Sequence, residues 1–127
     1  MRNLMLALVP LAALLASPAQ AQDAAAGEKV FAKCRACHVV DTDQNKVGPS
    51  LLGVVGKTAG THEGFRYSPA MVEAGENGLV WDDETLAAFL AKPKDVVPKT
   101  KMVFPGLKKE EEITNLIAYL KEFPGSE

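Results

Sequence analysis

An all-α fold with long loops is the class this sequence predicts, and three observations carry it. Two segments, near residues 82–92 and 109–122, repeat apolar residues at helical spacing behind acidic first turns. No segment of any length shows the apolar–polar alternation of a half-buried strand. The stretches between are punctuated by glycine and proline, which break either period. Four to five helices in one small domain are expected.

The first 21 of the 127 residues stand outside that fold. Arg2 gives a short positive start, Leu4 to Ala16 is almost wholly apolar, and Ser17-Pro18 ends the run. Ala19-Gln20-Ala21 has the small-x-small form of a cleavage site. Pro10 interrupts an apolar stretch too short to span a bilayer well, so a cleaved export signal fits better than an anchor. Residues 1–21 are therefore expected to be removed after Ala21, leaving 22–127 as one exported domain without stable membrane insertion.

Residues 24–36 read as the first helix, with Asp23 as its cap and Val30 and Phe31 on its apolar side. From Val39 to Gly64 no period is sustained, and Gly48, Pro49, Gly53, Gly56, Gly60 and Gly64 mark a long loop. A loop of that length in a small domain needs an organiser, and a buried prosthetic group would be one. Ser68 and Pro69 open a short helix to Ala74. Next, Asp82 or Asp83 caps a helix whose Leu86, Phe89 and Leu90 share a face until Pro93 stops it. Residues 93–108 are irregular. The last helix, about 109–122, carries Ile113, Leu116, Ile117 and Leu120 on one face.

Without residues 1–21, 13 basic residues face 16 acidic ones, a formal balance of −3, which argues against nucleic acid as a partner. Six of the 11 lysines nevertheless fall between Lys92 and Lys109, a local basic patch suited to docking. The remaining part has only 8 aromatic residues, and a domain so small usually needs a disulfide, metal or cofactor to stabilise it.

That need bears on Cys34-Arg35-Ala36-Cys37-His38, which holds both cysteines. A redox dithiol expects a strand before the motif, and none precedes it. Zinc needs four ligands, and beyond His38 only His62 is left among the usual partners. A disulfide across two residues closes a tiny loop and stabilises little. Haem c attachment meets each constraint: two thiols one helical turn apart add to the porphyrin vinyl groups, and the next histidine ligates iron. His62, Met71 and Met102 could fill the sixth position. Met102 is favoured because its loop follows His38 by more than 60 residues and can wrap a haem, whereas Met71 reads as core.

The segments "GEKVFAKCRACH", "KVGPSLLGVVGKTAG", "LVWDDETLAAFLAKPKDVVPKTKMVFPGLKK" and "LIAYLKEF" closely resemble, in order, those of class I cytochrome c. The likeness is to the bacterial cytochrome c₂ and mitochondrial types and covers nearly all of residues 25–123. It implies Cys34 and Cys37 as thioether anchors, with His38 and Met102 as axial ligands. The Pro49 carbonyl would hold His38; Tyr67 and Trp81 would bind one haem propionate, and Thr100 and Lys101 the other. Gly27 and Phe31 would cross Leu116 and Tyr119, while Leu51, Val55, Leu86, Leu90, Val103 and Phe104 would wall the haem. Lys57 stands where the family commonly has arginine, and Phe89 where tyrosine is frequent.

The resemblance implies a monomeric, periplasmic one-electron carrier, not an enzyme. Its donor would be a quinol–cytochrome c reductase, and its acceptor a terminal oxidase, a reaction centre or a nitrogen-oxide reductase, met through the lysine-rich face. The alternative is a haem enzyme or gas sensor of peroxidase-like type with an open distal site, for which His62 is the available acid–base residue.

Overall fold

The computed structural model describes residues 22–125. It contains five helices: α1 (Ala24–Phe31), α2 (Pro69–Glu76), α3 (Asp83–Ala91), α4 (Pro93–Val96) and α5 (Glu110–Leu120). An isolated antiparallel bridge between Thr58 and Val80 is the nearest approach to a sheet among the described residues. The all-α expectation is met. The export signal expected over residues 1–21 lies outside the described residues.

Side-chain caps start three of the helices, each satisfying a backbone N–H that no helical carbonyl can reach. The Asp23 carboxylate accepts from Ala26 N–H at 3.0 Å, Ser68 Oγ from Met71 N–H at 3.2 Å, and the Asp82 carboxylate from Thr85 N–H at 2.8 Å. The first helix ends at Phe31, short of the expected 36. Lys33 and Cys34 bond back three residues, to Val30 and Phe31, and this tighter winding closes the helix. Pro93 ends α3 as expected but also opens α4, where a first-turn proline lacks only an N–H that would have no partner.

The fold is held where α1 crosses α5. Gly27 lies so close to the Asn115 backbone that a side chain there would overlap its carbonyl, and would stand 2.9 Å from Tyr119 Cβ. Asn115 is therefore the residue of α5 that Gly27 approaches most closely. Its buried side chain accepts from Asp23 N–H at 2.9 Å, tying the start of α1 to the middle of α5. Beside the crossing, the Phe31 and Tyr119 rings meet at 5.4 Å. Leu116, Ile117 and Leu120 are buried with them, each contributing roughly 1.5–3 kcal/mol by leaving water.

The 39–51 loop is organised by its own polar groups. The buried Ser50 hydroxyl donates to the Thr42 carbonyl and accepts from Leu52 N–H at 3.1 Å. Asn45 accepts from Ser50 N–H at 3.0 Å and donates to the Glu63 carbonyl at 3.1 Å, linking this loop to the next. These bonds leave no buried polar side-chain atom without a partner among the described residues.

Candidate functional site

Cys34 to His38 forms a single turn: the N–H groups of Cys37 and His38 both reach the Cys34 carbonyl, at 3.1 and 2.9 Å. The turn faces a cavity of about 410 Å³, and Cys34, Cys37 and His38 all line it. Both thiols are free and half-buried. Burial, and secondarily Cys37, pushes the Cys34 thiol above its ordinary pKa against the opposing pull of Lys33. A neutral thiol is the reverse of the low-pKa thiolate that a redox dithiol uses. No group of three His, Cys, Asp or Glu side chains could hold a metal ion among the described residues, so the zinc arrangement is not present either.

His38 is buried, and its Nδ1 stands 2.7 Å from the Pro49 carbonyl oxygen. A carbonyl can only accept, so Nδ1 carries the proton. Burial lowers the imidazole pKa; the Pro49 bond opposes this in part, and the charge of Lys46 adds to the lowering. A neutral ring protonated on Nδ1 leaves the Nε2 lone pair bare, the form in which histidine binds a metal. Gly48 lies against the ring, where a Cβ would stand 2.8 Å from Nδ1 and closer still to Cε1.

Met102 lines the same cavity from the segment between α4 and α5. Thr100 Oγ1 accepts from Met102 N–H at 3.2 Å, and Thr100 N–H donates to the Val97 carbonyl at 2.9 Å. Downstream, Gly106 takes a left-handed φ of 102° and packs on the Ala91 carbonyl, where a side chain would overlap. Leu107 N–H then reaches the Leu90 carbonyl at 2.8 Å, so the segment is anchored on both sides of Met102.

The cavity wall is mainly apolar, with Phe31, Leu51, Leu86, Leu90 and Phe104 among its residues. One expected wall residue differs: Val55 packs against the core cluster and does not line the cavity, whereas Val103 lines it while fully exposed. Met71, read from sequence as core, also lines the cavity.

Tyr67, Trp81, Thr100, Lys101 and Pro49, named from the resemblance, all line the cavity. Trp81 is buried and its ring packs on Phe89 at 4.8 Å. It is held by backbone pairing: Trp81 N–H donates to the Lys57 carbonyl at 2.8 Å, and Gly56 N–H to the Trp81 carbonyl at 2.7 Å. The Tyr67 hydroxyl oxygen accepts from His62 N–H at 3.1 Å, and burial raises its pKa, so the phenol keeps a proton to donate.

His62, weighed from sequence as a sixth-position candidate and as an acid–base residue, meets partners that its glycine-rich loop did not reveal. It is half-buried and lines the cavity, with Nε2 3.1 Å from the Asp43 carbonyl and Nδ1 3.4 Å from Lys57 Nζ. Both ring nitrogens have a polar neighbour.

Two thiols on one turn, a neutral imidazole with a bare nitrogen, a thioether and an apolar chamber form a donor set that fits haem c. The comparisons agree. The family model described as "Cytochrome c" matches residues 24–124. Cytochrome c2 of Afifella marina is 53% identical over 100 residues, covering 78% of this chain and 81% of that protein. Cytochrome c2 of Blastochloris viridis is 46% identical over 124 residues, covering 97% and 94%. Among solved structures, cytochrome cH from Methylobacterium extorquens superposes with a TM-score of 0.73 at 50% identity, covering 79% of this chain and 98% of that one. One covalent haem c is the cofactor of such a chain. By sequence, fold and the chemistry of its cavity, this protein belongs to the cytochrome c family.

Proposed function

We propose that this protein is a periplasmic one-electron carrier and not an enzyme. Residues 1–21 serve as its cleaved export signal and 22–127 as the working domain. Cys34 and Cys37 anchor haem c through thioether bonds, and His38 and Met102 are its axial ligands. The observation that carries this reading is the seating of His38: a neutral ring with Nδ1 bonded to Pro49 and Nε2 bare, in a cavity that Met102 also lines.

Bound haem supplies one-electron chemistry at iron. The chain's own groups set how readily that electron is held. A methionine sulfur ligand favours the ferrous state, and an apolar wall disfavours the extra positive charge of the ferric state; both raise the potential. Tyr67 and Trp81, which line the cavity, would offer donors to one haem carboxylate, and Thr100 and Lys101 to the other. Pro49 and Gly48 fix the imidazole, and the anchored 100–107 segment presents Met102.

Electrons pass from a quinol–cytochrome c reductase to a terminal oxidase, a reaction centre or a nitrogen-oxide reductase, with the protein as a monomer. Lys33, Lys46, Lys99 and Lys101 are exposed, and Lys33 and Lys101 border the cavity, which suits docking on acidic surfaces. No helix among the described residues is long and apolar enough to cross a membrane.

The test uses protein matured with haem. Colour should stay with the chain through denaturing electrophoresis, be lost in the double variant Cys34→Ser/Cys37→Ser, and titrate reversibly as a one-electron couple. Irreversible titration, or rapid turnover of peroxide, would contradict the carrier reading.

A further inference from the structure

We infer that His62 is a positioning residue for the redox centre, holding the Lys57 ammonium against the cavity. Three contacts define its state. The Asp43 carbonyl 3.1 Å from Nε2 can only accept, so Nε2 carries a proton. The Lys57 ammonium 3.4 Å from Nδ1 can only donate, so Nδ1 must be the bare acceptor. A doubly protonated ring could not accept and would repel Lys57. The backbone N–H of His62 meanwhile holds the Tyr67 hydroxyl oxygen at 3.1 Å.

His62 itself is firmly seated. Its loop is tied to the 41–50 loop by the Asp43 contact and by Asn45 bonding the Glu63 carbonyl at 3.1 Å. Thr61 Oγ1 donates to the Thr58 carbonyl at 2.6 Å within the same turn. A lysine is a flexible point charge that lacks the fixed fork of arginine, so a lysine at position 57 needs an external acceptor to keep its charge in place. His62 supplies that acceptor.

The consequence for redox chemistry rests on the haem reading above. Lys57, His62 and Tyr67 line the cavity, as do the cationic residues Lys33, Arg66 and Lys101. A positive charge held at the wall disfavours the ferric state, which carries one more positive charge, and so raises the midpoint potential. Freed to move into solvent, the same charge is screened and its effect falls.

Equilibrium redox titration of the haem-loaded protein tests this with isosteric variants. Asn places an oxygen where Nδ1 stands and keeps the acceptor for Lys57, whereas Gln places its amide nitrogen near Nε2 and keeps only the bond to Asp43. His62→Leu and His62→Gln should lower the potential, and His62→Asn should leave it near wild type. Lys57→Met should also lower it, and adding His62→Leu to Lys57→Met should produce no further fall. If His62→Leu fails to fold, the Asn and Gln variants alone decide. A fall that persists in the Lys57→Met background, or an Asn variant as low as the Gln variant, would overturn the inference. A chain that takes up no covalent haem would instead overturn the underlying reading, so the two failures are distinct.

Discussion

Gly48 lies against the imidazole of His38, leaving no room for a side chain: a Cβ there would stand 2.8 Å from Nδ1 and 2.9 Å from Nε2. The next residue, Pro49, accepts the Nδ1 proton at 2.7 Å. One dipeptide thus fixes the ring's position and its tautomer. Both depend on the turn before them, where Gly48 N–H reaches the Cys37 carbonyl at 2.8 Å.

Gly48→Ala should therefore displace the imidazole without touching either thiol. We expect haem to remain covalently attached, with stability lower by about 1–3 kcal/mol, the usual range for overpacking. Urea unfolding checks this, and an unchanged midpoint would show that the ring has space to move.

The acid side of the stability curve should depend in part on the cap of α3. Asp82 has its pKa lowered first by the backbone N–H of Thr85 and then by the Thr85 side chain. A carboxylate with a depressed folded pKa contributes stability above its unfolded pKa and loses it as pH falls through the folded value. Asp82→Asn caps as well but does not titrate there. The variant should match wild type near neutrality and lose less stability below the ordinary aspartate pKa. Parallel acid-denaturation curves for the two proteins would contradict the cap.

The exposed lysines predict a salt-dependent encounter. Lys99→Glu should slow electron transfer with a membrane redox partner several-fold at low ionic strength, and much less at high, where charges more than about 8–10 Å apart are screened. Stopped-flow rates across a salt series provide the check. An equal effect at every ionic strength would remove the docking face.

Features fixed by local chemistry were legible in the sequence. The caps Asp23 and Ser68 make the predicted bond, and of the two candidates Asp82 and Asp83 it is Asp82 that caps, because a carboxylate or hydroxyl at that position meets its own helix's free N–H. The apolar faces of α3 and α5 are buried as their periodicity required. Contacts set by distant segments were less legible. Asn115 reaches Asp23 across 92 residues, and no local pattern marks a buried asparagine inside an apolar helical face. That His62 and Met71 line one cavity follows only when segments distant in sequence meet there. Val55 was assigned to the cavity wall by resemblance, and which way its side chain turns depends on loop backbone that composition does not specify.

The central claim is that His38 and Met102 together complete the coordination of one haem iron. The ferric absorption spectrum tests it most directly. An iron–methionine sulfur bond gives a weak long-wavelength band, which should be present in the wild type and absent in Met102→Ala, while the wild-type ferrous protein should resist carbon monoxide. A wild type that lacks the band and binds carbon monoxide readily would contradict the account.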